Sequence, residues 1–357
     1  MSFNAFVHHL LDWYALNKRD LPWRNTDNPY IIWLSEIILQ QTRVAQGLPY
    51  FEKYLEAYPT VDALAAAPSE DIMRLWQGLG YYSRARNLHL CAQLIVSKYG
   101  GNFPDTYKEL LQLKGVGSYT AAAIASFAFQ EPVAVVDGNV FRVLSRYFGI
   151  STDIGSHAGK KEFESLANQI IPKEQPGEFN QAVMEFGALH CTPKNPSCGT
   201  CPLQQSCFAY NNGLVEQLPV KEKKVKVKER RFRYAHIVLG EHTLVKERGA
   251  GDIWQGLYDF PMEELDGLDF PQWETSEIFR DLKDFATTIV FDPEDIFKHI
   301  LTHQRIFANF VKFVIGEEHR EALMDWAGAR GYQLISQEKL EALGKPRLIL
   351  RYLNGEK

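Results

Sequence analysis

Residues 104–125, PDTYKELLQLKGVGSYTAAAIA, decide the fold of the N-terminal part of the chain. Apolar residues at helical spacing lead up to the turn Gly115-Val116-Gly117, and a second helix is expected to start near Ser118. The two glycines permit positive φ and close backbone approach. The second helix then points its free N–H groups outward, which suits a DNA phosphate. We therefore expect Gly115, Val116 and Gly117 to contact DNA, with an ordinary αα-hairpin as the alternative.

Asp137 follows Gly117 by twenty residues, in the segment 135–143, VVDGNVFRV. It lies where the next helix is expected to begin, and Asp is a favoured N-cap residue. The helix dipole and the free N–H groups favour the ionised carboxylate. Such a carboxylate can stabilise positive charge that develops on a substrate.

Glu36 interrupts the run 31–39, IIWLSEIIL, which is apolar on nearly every side of a helix. A carboxyl group there loses hydration, so its pKa is expected to rise. The alternative is a surface glutamate on one wet face. Glu36 and Asp137 would then be two carboxyl groups with opposed environments, one a proton donor and one ionised, as glycoside cleavage requires.

The chain of 357 residues is long enough for two domains, and its composition is that of an ordinary globular protein. The sequence contains no run of about 18 apolar residues, so we expect no membrane span. The first domain, residues 1–217, is expected to be all-α. A basic linker (218–231) and an α+β domain (232–357) are expected to follow. Helices are predicted at Ile31–Gln46, Ala85–Tyr99, Tyr119–Phe129, Val140–Phe148, Gly159–Ile171, Phe270–Phe285 and Gln337–Leu343, and strands at Phe232–Gly240, Thr243–Lys246, Thr287–Phe291 and Ile306–Ile315.

The net charge of −5 does not suggest a DNA-binding protein, but its distribution is uneven. Residues 1–230 carry 23 Lys and Arg against 22 Asp and Glu, and residues 231–357 carry 16 against 22. Any DNA contact in the first part must therefore be local. Seven of the residues 221–231 are Lys or Arg. This run is read as a solvated linker, with phosphate contact as the alternative.

Four of the five cysteines form the pattern C-x6-C-x2-C-x5-C: Cys191, Cys198, Cys201 and Cys207. Four thiolates in so short a loop indicate a metal centre. The spacing alone leaves both zinc and an iron–sulfur cluster open. Cys91 lies in an apolar run and is expected to be a buried thiol.

The hairpin, the aspartate and the cysteine loop together resemble the helix-hairpin-helix glycosylase superfamily that includes endonuclease III. This resemblance implies a [4Fe–4S] cluster on the four cysteines. Lyase members of the superfamily carry a lysine two residues after the second glycine of the hairpin. That lysine attacks the sugar as a Schiff-base nucleophile. Here Tyr119 takes the position, and a phenol cannot form an imine. We therefore expect no significant lyase activity at abasic (AP) sites.

Three further motifs resemble the MutY family of adenine glycosylases, and the resemblance extends over residues 5–220. They are LPWR (21–24), WLSEIILQQTRV (33–44) and GLGYYSRARNL (78–88). The resemblance implies that Glu36 protonates adenine N7 and that Asp137 stabilises the cationic sugar. Tyr119 and Asn139 would support the sugar and the attacking water.

The same resemblance implies an adenine pocket formed by Trp23, Arg24 and Leu39 together with Glu36. Gln41 and Tyr81 match residues that fill or wedge the DNA helix beside the lesion. Core packing is the alternative for Trp23, and burial is the alternative for Tyr81.

Residues 251–261, GDIWQGLYDFP, resemble the Nudix-like domain in the C-terminal half of MutY proteins. Residues 270–283 lack the Arg-Glu and Glu-Glu pairs that hold magnesium in Nudix hydrolases, so we expect no pyrophosphatase activity. Thr302 and His303 are expected to contact the oxidised guanine. The family commonly has Phe-Ser-His where this chain has Leu301-Thr302-His303, so stacking by the phenylalanine is lost.

The sequence thus predicts a multi-domain, monofunctional adenine DNA glycosylase of base excision repair. It would be a cytoplasmic monomer at the bacterial nucleoid, acting on double-stranded DNA with adenine opposite 8-oxoguanine or guanine. A thymine glycosylase acting on G·T mismatches is the main alternative, which Glu36 and the second domain oppose. A non-catalytic DNA-binding protein on a repair scaffold is a third reading, which the pair Glu36 and Asp137 opposes.

Overall fold

The computed structural model describes residues 3–222, 227–267, 269–270, 272–301 and 303–356. The chain forms two compact units: the first comprises Met1–Ala66 and Asn87–Lys223, the second Ala67–Arg86 and Lys224–Lys357. The α-helices are α1 (Phe3–Asn17), α2 (Pro29–Leu39), α3 (Val44–Ala57), α4 (Val61–Ala66), α5 (Ser69–Leu75), α6 (Ser83–Tyr99), α7 (Tyr107–Leu110), α8 (Ser118–Phe129), α9 (Gly138–Phe148), α10 (His157–Ile170), α11 (Pro176–Leu189), α12 (Phe208–Asn211), α13 (Glu277–Leu282), α14 (Arg320–Arg330), α15 (Gln337–Ala342) and α16 (Arg347–Leu353). None of the helices in the described ranges is long and apolar enough to cross a membrane.

Helices are the regular elements of the first unit within the residues that the structure describes. The predictions for α6, α8, α9 and α10 are confirmed to within two residues. The predicted helix Ile31–Gln46 is wrong, because the chain forms two helices there, α2 and α3. Gln41 lies between them with φ +55°, a conformation that cannot continue a right-handed helix.

The hairpin forms where the sequence predicts it. The first helix, α7, is short and ends before Leu113, and turns lead into Gly115 with φ +76°. A Cβ atom at Gly115 would lie 2.7 Å from the Cβ atom of Asn87, so both the backbone conformation and the close approach require glycine. Gly117 is the N-cap of α8.

The apolar core of the first unit lies among α1, α9, α10 and α11. Phe6, Phe163 and Phe186 are completely or almost completely buried in it. Helix α2 is buried from Ile32 to Ile38, as expected for a helix whose sequence is apolar on nearly every side. This burial places Glu36 in the interior of the protein.

The second unit contains a mixed β-sheet, in agreement with the predicted α+β class. Its strands are β1 (Lys228–Leu239), β2 (His242–Glu247), β3 (Tyr258–Asp259), β4 (Met262–Leu265), β5 (Ala286–Ile300), β6 (Gln304–Ile315) and β7 (Gln333–Ser336). The strand order is β3-β2-β1-β6-β5, with β4 paired to β1 and β7 paired to β2. Strands β1 and β6 are parallel, and the other pairs are antiparallel.

One face of this sheet packs on helices α13 and α14. Ile237 and Phe313 from the sheet are fully buried in one cluster with Leu282 and Leu323 from the helices. The predicted helix Phe270–Phe285 reduces to α13 with a 3₁₀ turn on each side. Local periodicity did not indicate the short strands β3, β4 and β7. Each has only two to four residues and is held in the sheet by hydrogen bonds to the strand beside it.

Two boundaries differ from the prediction. Strand β1 begins at Lys228, within the predicted linker 218–231, and residues 223–226 of that linker lie outside the described part of the chain. Residues 67–86, which the sequence assigned to the helical domain, belong to the second unit. There the backbone N–H of Lys345 donates to Gln77 Oε1 at 3.2 Å, and the Tyr82 hydroxyl donates to the Lys345 carbonyl at 3.4 Å.

Candidate active site

Glu36 lies on α2 with only 7% of its surface exposed. One of its carboxyl oxygens, Oε2, accepts a hydrogen bond of 2.7 Å from the Tyr119 hydroxyl. Burial raises the pKa of Glu36 to about 7, and the nearby Asp137 carboxylate adds to this, whereas the Tyr119 hydrogen bond and Arg24 act against it. At neutral pH a large fraction of Glu36 therefore carries a proton that it can donate.

Asp137 is the N-cap of α9, as the sequence predicted. Its Oδ1 accepts hydrogen bonds from the backbone N–H groups of Asn139 (2.9 Å) and Val140 (2.8 Å), and its Oδ2 accepts one from Asn139 Nδ2 (2.8 Å). Burial raises the pKa of Asp137 above its usual value, while these hydrogen bonds and Arg142 oppose the rise. Three donors on two oxygens favour the carboxylate form.

Tyr119 and Asn139 complete this constellation. Burial raises the pKa of Tyr119 well above its usual value, so the phenol stays neutral and acts as a donor. Asn139 Oδ1 accepts a hydrogen bond of 2.8 Å from Arg142 Nη2, which fixes the orientation of the amide. Gly187 of α11 allows this packing, because a Cβ atom there would lie 2.7 Å from Asn139 Cβ.

A cavity of about 620 Å³ lies in front of these groups, and all of its lining residues belong to the first unit. A cavity of this volume lies within the usual range for small-molecule sites. The seven residues predicted to form the catalytic and adenine-binding set all line it: Trp23, Arg24, Glu36, Leu39, Tyr119, Asp137 and Asn139. Trp23 is also a core residue, since its ring packs edge-on against Phe51 at 5.0 Å.

Sequence reasoning missed the buried ion cluster on another wall of the cavity. The carboxylate of Glu185, on α11, accepts hydrogen bonds from both Arg19 and Arg24. Burial by itself would raise the pKa of Glu185, but the two arginines outweigh it and lower the pKa to about 2. Glu185 lies 166 positions from Arg19 and 161 positions from Arg24 in the sequence, so no local pattern indicated this cluster.

The predicted DNA contacts fall into separate parts of the structure. Gly115 and Gly117 are exposed at the start of α8, whereas the Val116 side chain is buried, so Val116 offers only its backbone there. Gln41 is exposed with φ +55°, and Tyr81 is 36% exposed with φ +49°. The burial alternative for Tyr81 is therefore wrong. Positive φ is costly for residues other than glycine, and such strain is concentrated at functional sites.

In the second unit, the predicted contact residue Thr302 lies outside the described residues. The His303 side chain is exposed, and the His303 carbonyl accepts a hydrogen bond of 2.9 Å from the Lys228 backbone N–H. On α13, Asp281 pairs with Arg330 at 2.8 Å and accepts a hydrogen bond from the Trp326 indole. This acidic residue is thus engaged within the fold.

The four cysteines of the predicted metal centre are half-buried and line one small space next to Phe186 and Leu203. Arg146 Nη1 lies 3.4 Å from Cys191 Sγ, and Arg142 Nε donates to the Cys191 carbonyl at 2.7 Å. Positive charge beside thiolates stabilises them as ligands.

The distances between the cysteine sulfur atoms distinguish a zinc ion from an iron–sulfur cluster, the two kinds of centre that the sequence spacing left open. Among the described residues, the side chains of His8, His9 and Asp12 form the group whose three ligand atoms all lie within 4.8 Å of one another. No three of the described cysteine sulfur atoms lie that close together. A tetrahedral zinc with Zn–S bonds of about 2.3 Å would draw its sulfurs to about 3.8 Å from one another. The wider loop fits a cluster better than a single zinc ion.

Three segments match known families. Residues 34–173 match the HhH-GPD superfamily of base excision DNA repair proteins, residues 191–207 match the iron–sulfur binding domain of endonuclease III, and residues 233–355 match the NUDIX domain. The cysteine loop therefore belongs to the type that binds a [4Fe–4S] cluster, and the matched segment contains all four cysteines of the loop.

Solved structures similar to this chain match about three fifths of it. A thermostable thymine-DNA glycosylase is 32% identical with a TM-score of 0.55, and the match covers 59% of this chain and 97% of that protein. An endonuclease III bound non-covalently to DNA is 26% identical with a TM-score of 0.52, covering 60% of this chain and 99% of that one.

Relatives that match most of the chain are adenine DNA glycosylases. The enzyme of Buchnera aphidicola (subsp. Baizongia pistaciae) is 33% identical over 89% of this chain and 88% of its own length. The Schizosaccharomyces pombe enzyme is 31% identical over 85% of this chain and 80% of its own length. The human enzyme is 45% identical over 60% of this chain and 41% of its own length. With its helix-hairpin-helix domain, iron–sulfur loop and Nudix-like domain, the chain belongs to the MutY family of adenine DNA glycosylases, which act in base excision repair.

Proposed function

We propose that this protein is a monofunctional glycosylase that removes adenine paired with 8-oxoguanine, or with guanine, from double-stranded DNA. The observation that carries the proposal is the pair Glu36 and Asp137 in one cavity, the first a buried acid and the second a hydrogen-bonded carboxylate. The adenine must leave the base stack to enter this cavity, because its glycosidic bond is inaccessible in the duplex.

The reaction begins with proton transfer from Glu36 to adenine N7. The C1′–N9 bond then breaks, and its electron pair leaves with the neutral base. The sugar is left as an oxocarbenium ion, which the Asp137 carboxylate stabilises by its negative charge. Water adds to C1′ and gives up a proton, which restores the proton on Glu36 and leaves an abasic site. Asn139 and Tyr119 hold the two carboxyl groups through hydrogen bonds of 2.8 Å and 2.7 Å.

The absence of AP-lyase activity belongs to the same proposal. Tyr119 occupies the position of the lyase nucleophile, and its hydroxyl is engaged with Glu36. Among the described residues that line the cavity there is no lysine to form a Schiff base with the sugar. Strand cleavage should therefore require alkali or heat.

Recognition of the oxidised guanine is assigned to the second domain. Support comes from its resemblance to the Nudix-like domain of MutY proteins and from the exposed side chain of His303. We expect Thr302 and His303 to contact the lesion and expect no pyrophosphatase activity. The exposed Gly115 and Gly117, with Gln41 and Tyr81, supply the remaining DNA contacts. We further propose that the protein acts as a monomer, in a bacterial cytoplasm at the nucleoid.

The four cysteines would hold the [4Fe–4S] cluster. When bound, the cluster cross-links the loop 191–207 through four thiolates and so fixes the chain next to α11. Arg142 and Arg146 tie this loop to α9 through the Cys191 and Thr192 carbonyls. No step of the glycosylase reaction passes through the cluster.

The second candidate is excision of thymine from G·T mismatches, favoured by the likeness to a thymine-DNA glycosylase. That likeness leaves about two fifths of this chain without a counterpart. A thymine has no N7 for Glu36 to protonate, so the buried acid favours adenine.

Single-turnover cleavage of three duplexes tests the proposal, with adenine opposite 8-oxoguanine, adenine opposite guanine, and thymine opposite guanine. Adenine should be released from the first two, and strand breaks should appear only after alkali. Thymine release, or prompt strand cleavage by the protein, would contradict it. Asp137→Asn keeps a favourable N-cap residue, so unchanged adenine release in that variant would refute the role of Asp137.

A further inference from the structure

Glu185 is the most completely engaged carboxylate of the cavity wall, yet it has no part in the reaction described above. It lies on α11 with 1% of its side chain exposed. Oε1 accepts hydrogen bonds from the Arg19 backbone N–H (3.1 Å), Arg19 Nε (2.8 Å) and Arg24 Nη1 (2.8 Å). Oε2 accepts from Arg19 Nη2 and Arg24 Nη2, both at 2.6 Å.

Both arginines are held in place by these bonds. Arg24 Nη1 also donates to the Arg19 carbonyl at 3.0 Å, and the Arg24 guanidinium lies 5.8 Å from the Tyr14 ring centre. The exposed fractions of the two side chains are 37% for Arg19 and 11% for Arg24. Arg19 and Arg24 both line the cavity that would receive the adenine, and their guanidinium groups are planar hydrogen-bond donors.

The arginines present a difficulty for a neighbouring acid. A guanidinium favours the ionised form of a nearby carboxyl group, and Arg24 acts on Glu36 in this direction. Protonation of adenine requires the opposite, a neutral Glu36. Two uncompensated guanidinium groups in the same cavity would therefore remove the proton that the reaction uses.

The charged and titratable groups that line the cavity with Glu36 come from several elements. Arg19 and Arg24 precede α2, and Arg43 follows it. Tyr119 comes from α8, Asp137 from the start of α9, and Glu185 from α11. Of these, Glu185 is the carboxylate bonded directly to the two arginines.

We propose that Glu185 is a positioning residue that fixes Arg19 and Arg24 and balances their charge, so that Glu36 keeps its proton beside them. This inference rests on the proposed role of Glu36 as the acid. Glu185 stays ionised throughout the working pH range, because the arginines hold its pKa at about 2. It therefore supplies a constant negative charge, and it does not titrate in the pH range in which Glu36 loses its proton.

The test is the pH dependence of single-turnover adenine release in the wild type and in Glu185→Gln. Glutamine keeps the size of the side chain and removes its charge. At an effective dielectric constant of about 20, a unit charge roughly 12 Å from a carboxyl group moves its titration by about one pH unit. In the wild type, the rate of adenine release should fall at high pH as Glu36 loses its proton; this fall is the high-pH limb of the profile. In Glu185→Gln the limb should move to lower pH by at least about one unit, and at pH values above it the rate should be roughly tenfold lower than in the wild type.

Two further variants distinguish charge balance from a merely structural role. Glu185→Asp retains the charge and should keep the limb at the wild-type pH, even if the rate falls. The double variant Glu185→Gln with Arg24→Gln removes one charge of each sign, so its high-pH limb should return to about the wild-type pH. A uniform rate loss in Glu185→Gln at every pH, with the limb unmoved, would overturn the inference.

Circular dichroism shows whether Glu185→Gln is folded. If it is not, Arg24→Gln alone decides, because it removes a positive charge while Glu185 remains paired with Arg19. Its limb should move to higher pH, and an unmoved limb would overturn the inference. Failure of the proposed function has a different signature: Glu36→Gln would then release adenine at the wild-type rate.

Discussion

Replacement of Glu36 by glutamine should stabilise the folded protein at alkaline pH and at the same time abolish adenine release. Burial raises the pKa of Glu36 from 4.5 to about 7 in the folded state. The unfolded chain keeps the ordinary value, so between these two values folding takes up a proton. The wild type therefore loses stability as the pH rises from 4.5 through 7, and the loss is complete above 7.

The size of the effect follows from the two values. A difference of about 2.5 at about 1.36 kcal/mol per pKa unit is about 3 kcal/mol in the free energy of unfolding. Below about pH 4.5 the carboxyl group is protonated in both states and contributes nothing. Glutamine does not titrate. The stability gained by Glu36→Gln should thus be about 2.5 kcal/mol larger near pH 8.5 than near pH 5.

Urea unfolding of both proteins at the two pH values measures this difference. Adenine release by the variant, measured in single turnover, should fall by roughly 10²–10⁴-fold, the usual contribution of a general acid. Glu52→Gln, at an exposed position of α3, is the matched control and should change neither quantity. A stability difference between Glu36→Gln and the wild type that does not vary with pH would refute the reasoning.

Three further substitutions test the surroundings of the site. Tyr119→Phe removes the hydrogen bond that lowers the pKa of Glu36, so the high-pH limb of adenine release should move to higher pH in the pH–rate profile. Gly187→Ala places a Cβ atom 2.7 Å from a neighbouring Cβ, which should lower the free energy of unfolding by about 1–3 kcal/mol in urea titrations. Cys198→Ser should lower the iron and sulfide content of the purified protein.

Controls and contrary results differ for each. A limb that moves to lower pH in Tyr119→Phe would contradict the assigned hydrogen bond. For Gly187→Ala the control is Gly328→Ala in α14, where an added Cβ meets no atom within 4 Å. That control should be neutral or stabilising by up to about 1 kcal/mol. Cys91→Ala, outside the loop, should retain full iron content, and unchanged iron in Cys198→Ser would contradict the ligand assignment.

The sequence by itself determined the features that depend on neighbouring residues. The turn Gly115–Gly117 needs glycine for its backbone conformation, and Asp137 caps the helix that starts directly after it. Glu36 is buried because α2 is apolar on nearly every side. In each case the physical cause lies within a few residues of the position, so the local pattern carries it.

Tertiary structure alone decided which groups meet. The hydrogen bond between Tyr119 and Glu36 joins residues 83 positions apart, and the bonds from Arg24 to Glu185 join residues 161 positions apart. The assignment of residues 67–86 to the second unit is equally non-local. Helical periodicity shows which face of a helix is buried, but it does not show which partner covers that face. The acid Glu36 could therefore be found in the sequence, whereas the charges around it could be found only in the folded chain.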